Sequence, residues 1–99
     1  MRLTKQQVHV IHDFAIQLAG NHARVWLFGS RLDDEARGGD CDLMLELAEP
    51  VENPALLAAT FSAKVSRLMH GRKVDVLLSA PNLKHLPIHD IAFEEGKLL

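Results

Sequence analysis

Ninety-nine residues, 47% of them apolar, are enough for one domain with one small core and exclude a disordered chain. A formal charge of −2 gives no electrostatic footprint for polyanion binding, so no direct nucleic-acid partner is expected. The single Cys41 excludes an internal disulfide and a multi-cysteine zinc site, and no apolar run nears the roughly 18 residues of a membrane span, so a soluble, cytoplasmic protein is expected.

In chain order, Thr4 and Gln7 form a capping-box pattern that opens a helix. Val8, Ile11, Phe14, Ala15 and Leu18 then recur at helical spacing until Gly20-Asn21. ARVWLF, residues 23–28, is short, apolar and β-prone, and reads as a strand with Trp26 in the core. Ser30 to about Ala36 forms a turn or two of helix or an ordered loop. DCDLMLEL, residues 40–47, is a second strand. Its alternation sets Cys41, Leu43, Leu45 and Leu47 on one face and Asp40, Asp42, Met44 and Glu46 on the other. Asn53 and Pro54 supply an N-cap and a first-turn proline for a helix reaching about His70, with Leu56, Leu57, Thr60, Phe61, Val65 and Leu68 inward. RKVDVLLS, residues 72–79, is a third strand, and a last helix covers about Pro87 to Glu95, followed by Gly96 and a short apolar tail. This order predicts an α/β (α+β) two-layer fold, a small mixed sheet packed against helices. The short link between the first two strands makes them antiparallel, and the helix between the second and third is long enough for a parallel crossover.

The chemistry sits where the first strand ends and the second begins. Gly29 permits a sharp turn or a close approach by a ligand. Ser30 follows with a hydroxyl and free backbone N–H groups, and Arg31 adds a fork-shaped phosphate donor. Asp40 and Asp42, two apart on a strand, project from one face, and their mutual repulsion is relieved by a divalent cation. Hard carboxylate oxygens suit Mg²⁺ or Mn²⁺, which also take substrate phosphates as ligands. Asp75 is a lone acid inside KVDVLL. If the third strand lies beside the second, it completes a three-carboxylate cluster of the kind used in two-metal phosphoryl or nucleotidyl transfer. The bland alternative, acids on a solvated face or in salt bridges, is weakened by this third acid.

Gly29-Ser30, a nine-residue spacer, then Asp40-Cys41-Asp42-Leu43 resembles the signature of the DNA polymerase β nucleotidyltransferase superfamily. The string FGSR…GGDCDL and the tail PIHDIAFEEGKLL are most similar to the minimal nucleotidyltransferases, which include antitoxins paired with HEPN-domain toxins. Many members carry Arg-Gly where Leu32-Asp33 stands here, and Ser where Gly39 stands. The resemblance implies a two-layer nucleotidyltransferase fold and a role for each matching residue. Gly29 and Ser30 would hold the β- and γ-phosphates of ATP; Asp40 and Asp42 would ligate Mg²⁺, with two ions expected. Asp75 would be the third acid, helping an acceptor hydroxyl lose its proton. It further implies transfer of AMP to a tyrosine of a HEPN-type toxin, in a hetero-oligomer with that partner or a homo-oligomer. The rival is a binding-only antitoxin that occludes its partner; the acids Asp33, Asp34 and Glu35 between turn and strand favour it mildly. A small-molecule nucleotidyltransferase is disfavoured because no acceptor-pocket domain is expected in 99 residues.

Other motifs weigh less. There is no P-loop pattern, and Gly38-Gly39 lacks the context of a dinucleotide fingerprint. His9 with His12 and His85 with His89 have helical metal-ligand spacing but no third ligand, so surface or partner-facing histidines are expected. Cys41, on the face opposite the acids, reads as a small core residue.

Overall fold

The fold is that of a computed structural model, which describes residues 3–29 and 41–99. The elements run α1 (Lys5–Ala19), β1 (Arg24–Phe28), β2 (Cys41–Glu46), α2 (Pro54–Leu68), β3 (Val74–Ser79), α3 (Pro87–Glu95) and β4 (Lys97–Leu98). Local chemistry sets most of the boundaries. The Thr4 hydroxyl accepts from the Gln7 amide at 3.0 Å while the Gln7 side chain accepts from the Thr4 amide at 2.9 Å, so the expected capping box opens α1. Gly20, at φ +97°, ends it. Asn53 accepts from the Leu56 amide at 3.1 Å and Pro54 fills the first turn of α2.

The sheet order is β3-β2-β1-β4. β1 lies antiparallel to both β2 and β4, and β2 lies parallel to β3, with α2 as the crossover. The architecture is α+β: a four-stranded mixed sheet with α1 and α2 layered on one face. Val25, Leu27, Cys41, Leu43 and Leu45 point into that layer and meet Ile11 and Ala15 of α1 and Phe61 and Val65 of α2. Each fully buried large apolar side chain there contributes about 1.5–3 kcal/mol. The shorter α3 rests on the reverse face, where Phe28, Met44 and Ala92 form a second cluster with Trp26, Leu77 and Phe93.

Three expectations need correction. Leu56 is not inward but 61% exposed; the buried stripe of α2 runs through Leu57, Phe61, Val65 and Leu68, and Leu56 stands one residue, about 100°, off it. The tail after Gly96 is a strand, because pairing of Trp26 with Leu98 and of Leu27 with Lys97 closes the margin of β1. Trp26 belongs to the smaller cluster and is only half-buried: its indole N–H donates to Glu46 at 3.0 Å, and its ring meets Phe93 edge-on at 5.3 Å.

At the far margin, the backbone groups of Lys73 and Ser79 face β2, accepting from Cys41 and Leu47. Strand alternation therefore turns those of Val74, Val76 and Leu78 outward. The Ser62 hydroxyl donates to the Val74 carbonyl at 2.7 Å, and the His89 ring bonds the Leu78 carbonyl at 2.8 Å. Among the described residues no helix is long and apolar enough to cross a membrane.

Candidate functional site

The expected site residues are Gly29, Ser30, Arg31, Asp40, Asp42 and Asp75. Ser30, Arg31 and Asp40 lie outside the described residues, as does the expected turn or helix from Ser30 to Ala36. The other three converge. Pairing of β1 with β2 sets Phe28 opposite Asp42, and pairing of β2 with β3 sets Asp42 opposite Asp75. Phe28, Asp42 and Asp75 thus form one row across three strands. The two aspartates share a face on neighbouring strands, about 4.8 Å apart along the hydrogen-bonding direction.

Gly29 follows directly on that row at φ +75°, the left-handed region that costs a residue with a Cβ about 1–2 kcal/mol. A Cβ at this position would stand 2.5 Å from Oδ2 of Asp42. The space that glycine frees at the turn is taken by the Asp42 carboxylate. Turn and acid are therefore one unit: the missing side chain at 29 sets where the carboxylate of 42 can lie.

Asp42 is half-buried and Asp75 exposed, at the floor of an open cleft of about 520 Å³. Its walls are Phe28, Leu77, Ile88 and Ile91. Ile88 and Ile91 are 45% and 47% exposed. These wall residues were not singled out in the sequence. The available signal was an apolar pair three apart in PIHDIAFEE that falls off the stripe of His89, Ala92 and Phe93. Glu46 shares the face of Asp42, but four residues at about 3.3 Å each put it some 13 Å along the strand, where it bonds Trp26.

Among the described residues no three His, Cys, Asp or Glu side chains group to hold a metal. Asp42 and Asp75 make a pair, and the third acid of the expected set is Asp40. Cys41 is fully buried on the α1–α2 side, as its alternation requires. His9 is exposed and faces Asp13 at 3.4 Å, and His85 is exposed with Asp90 at 2.6 Å. His89 departs from expectation: it is buried, 3% exposed, because both ring nitrogens are used inside the fold. No protein-family model matches the chain, and no curated protein matches it.

Proposed function

We propose that the protein is a Mg²⁺-dependent nucleotidyltransferase that moves AMP from ATP to a hydroxyl, a tyrosine by preference, on a partner of the HEPN-toxin type, and thereby acts as an antitoxin in a reducing cytosol. The observation that carries this reading is the row of Asp42 and Asp75 in register on adjacent strands, with Gly29 packed against the Asp42 carboxylate. Two acids side by side repel each other, and a divalent cation between them relieves that repulsion. Their hard oxygens fit Mg²⁺, and so does a carboxylate whose position is set by the backbone beside it. Asp40 and Asp42 would hold the ions, which supply charge neutralisation at the phosphates when bound. Gly29 and Ser30 would cradle the β- and γ-phosphates, with Arg31 as a further phosphate contact. Asp75, exposed at the cleft floor, would take the proton of the acceptor hydroxyl. The hydroxyl oxygen then bonds the α-phosphorus, the bond from that phosphorus to the bridging oxygen breaks, and pyrophosphate leaves with the electron pair.

The test is incubation of the purified protein with ATP labelled in the α-phosphate, Mg²⁺ and a HEPN-type partner protein. Label on the partner is expected, with Asp75→Asn reducing it by about 10²-fold or more, the size of a lost general base, and Asp42→Asn reducing it by loss of a metal ligand. Absence of label, with Asp42→Asn neutralising the partner as well as the unaltered protein does, would leave occlusion as the mechanism.

A further inference from the structure

We infer that His89 is the positioning residue of the cleft, a clasp between β3 and α3 that holds the Ile88–Ile91 wall over the two aspartates. Among the described residues it is the one buried polar side chain. Burying an imidazole is unfavourable unless both nitrogens find partners. Here Nδ1 accepts from the Leu86 amide at 2.9 Å, and the opposite nitrogen lies 2.8 Å from the Leu78 carbonyl. A carbonyl only accepts, so the N–H of this bond is on Nε2. One side chain therefore serves two structures. It stands at the third position of α3 and caps the amide just before the helix, the place glutamate or glutamine takes in a capping box. With its other nitrogen it grips the outward carbonyl of the marginal strand, three residues beyond Asp75.

The neighbouring groups hold this ring in place. His85 stacks on it at 5.0 Å and is itself held by Asp90 at 2.6 Å, and β3 presents its backbone. The residues on either side in the same helix, Ile88 and Ile91, are the ones that face the cleft. At its far end α3 is fixed by packing, through Ala92, Phe93 and the edge-on contact of Phe93 with Trp26. His89 supplies the directional tie at the end nearer the acids. An apolar residue of similar size would fill the space and leave the Leu86 amide and the Leu78 carbonyl unsatisfied. The wall would then lose its register over Asp42 and Asp75 while the α1–α2 core kept its own contacts.

Three variants separate the ring's two bonds from its bulk. His89→Phe removes both. His89→Gln presents an N–H near the site of Nε2 and keeps the β3 tie when it reaches the strand rather than the cap that glutamine makes at this helix position. His89→Asn presents a carbonyl oxygen near Nδ1 and keeps only the cap. Hydrogen exchange over residues 87–95 and the emission of Trp26, the single tryptophan, read α3 docking without any ligand. The expected result is exchange in α3 at least tenfold faster and a red-shifted emission for His89→Phe and His89→Asn, unchanged exchange in α1 and α2, and recovery of most protection in His89→Gln. In the labelling assay, whose relevance rests on the function proposed above, His89→Phe should raise KM at least fivefold with a smaller change in kcat, and His89→Gln should restore KM. Equal exchange in all three variants and the unaltered protein would overturn the clasp, as would equal loss in His89→Gln and His89→Phe. If the unaltered protein transfers no label, the proposed activity fails, and the exchange and emission results still decide the clasp. Should His89→Phe fail to fold, the contrast between His89→Gln and His89→Asn carries the same decision.

Discussion

Replacing Gly29 with alanine separates two effects that the structure predicts will diverge. The first is backbone strain: at φ +75° an alanine costs about 1–2 kcal/mol. Gly71, at φ +84° with nothing within 4 Å of an added Cβ, is the internal control, because Gly71→Ala carries the same strain and no collision. The second effect is the 2.5 Å approach to Asp42 Oδ2. To reach the 3.4 Å of ordinary contact the carboxylate must retreat by 0.9 Å (3.4 − 2.5). A side chain turned off its rotamer costs about 0.5–1.5 kcal/mol, which brings Gly29→Ala to roughly 1.5–3.5 kcal/mol in all. In an Asp42→Ala background the oxygen is gone and the nearest atom of residue 42 is its Cβ at 3.5 Å, so the cost should fall back to that of Gly71→Ala. Urea unfolding followed by Trp26 emission measures the unaltered protein and the four variants. Each kcal/mol should also appear as about 4–8 °C in Tm for a domain of this size. Function should suffer more than stability. If Asp42 ligates Mg²⁺ as proposed, octahedral coordination at about 2.0–2.1 Å does not tolerate a ligand oxygen displaced by most of an ångström. Calorimetry with Mg²⁺ and a non-hydrolysable ATP analogue should show at least a tenfold loss for Gly29→Ala and none for Gly71→Ala. If Gly29→Ala costs the same in both backgrounds and no more than Gly71→Ala, the close approach of turn and carboxylate is wrong.

Phe61 is fully buried between α2 and the sheet, so Phe61→Ala should lower stability by about 3–5 kcal/mol in urea titration; a loss below about 1 kcal/mol would contradict its central place. Gly96→Ala meets backbone on two sides, in collision with the Ala92 carbonyl and 3.1 Å from the Leu27 carbonyl, at an unstrained φ of −78°. Its cost is steric and, because backbone rather than a side-chain end must move, should reach about 3 kcal/mol or more, with faster amide exchange in β4 and its partners on β1. Leu56→Ser should change stability by no more than about 0.5 kcal/mol, whereas an inward Leu56 would lose several times that. Cys41, fully buried, should react with a thiol reagent only as fast as the protein opens, so its rate should rise with urea in step with unfolding.

The parts of the fold legible in the sequence are those that local chemistry decides. The Thr4–Gln7 box, the Asn53-Pro54 start and the Gly20 stop are interactions within four residues, and helix bounds read from them hold. The strand alternation of CDLMLE put Cys41 on the packed face and Asp42 on the other, because a period of two leaves no alternative once one face is apolar. The register that sets Asp42 beside Asp75 was legible only conditionally, since nothing local says which strand lies next to which. β4 escaped because two residues carry no period; it exists through pairing with β1, some seventy residues earlier. Leu56 is apolar, but apolar character alone does not give direction on a helix. His89 is the converse: its burial depends on a carbonyl eleven residues away that no spacing rule reveals. The walls Ile88 and Ile91 look like ordinary core residues until the helix is laid on the sheet.

The outward margin of β3 has a consequence for life in a crowded solution. A strand at the border of a sheet offers alternate backbone groups as a template on which another molecule's strand can grow. Here two of its three outward carbonyls are already occupied, one by a hydroxyl from α2 and one by an imidazole from α3, leaving Val76 between them. An intruding strand would have to displace both side chains to gain a run longer than a single rung. The two helices thus act as stoppers against edge-to-edge polymerisation, guarding a six-residue, largely apolar border that would otherwise invite it.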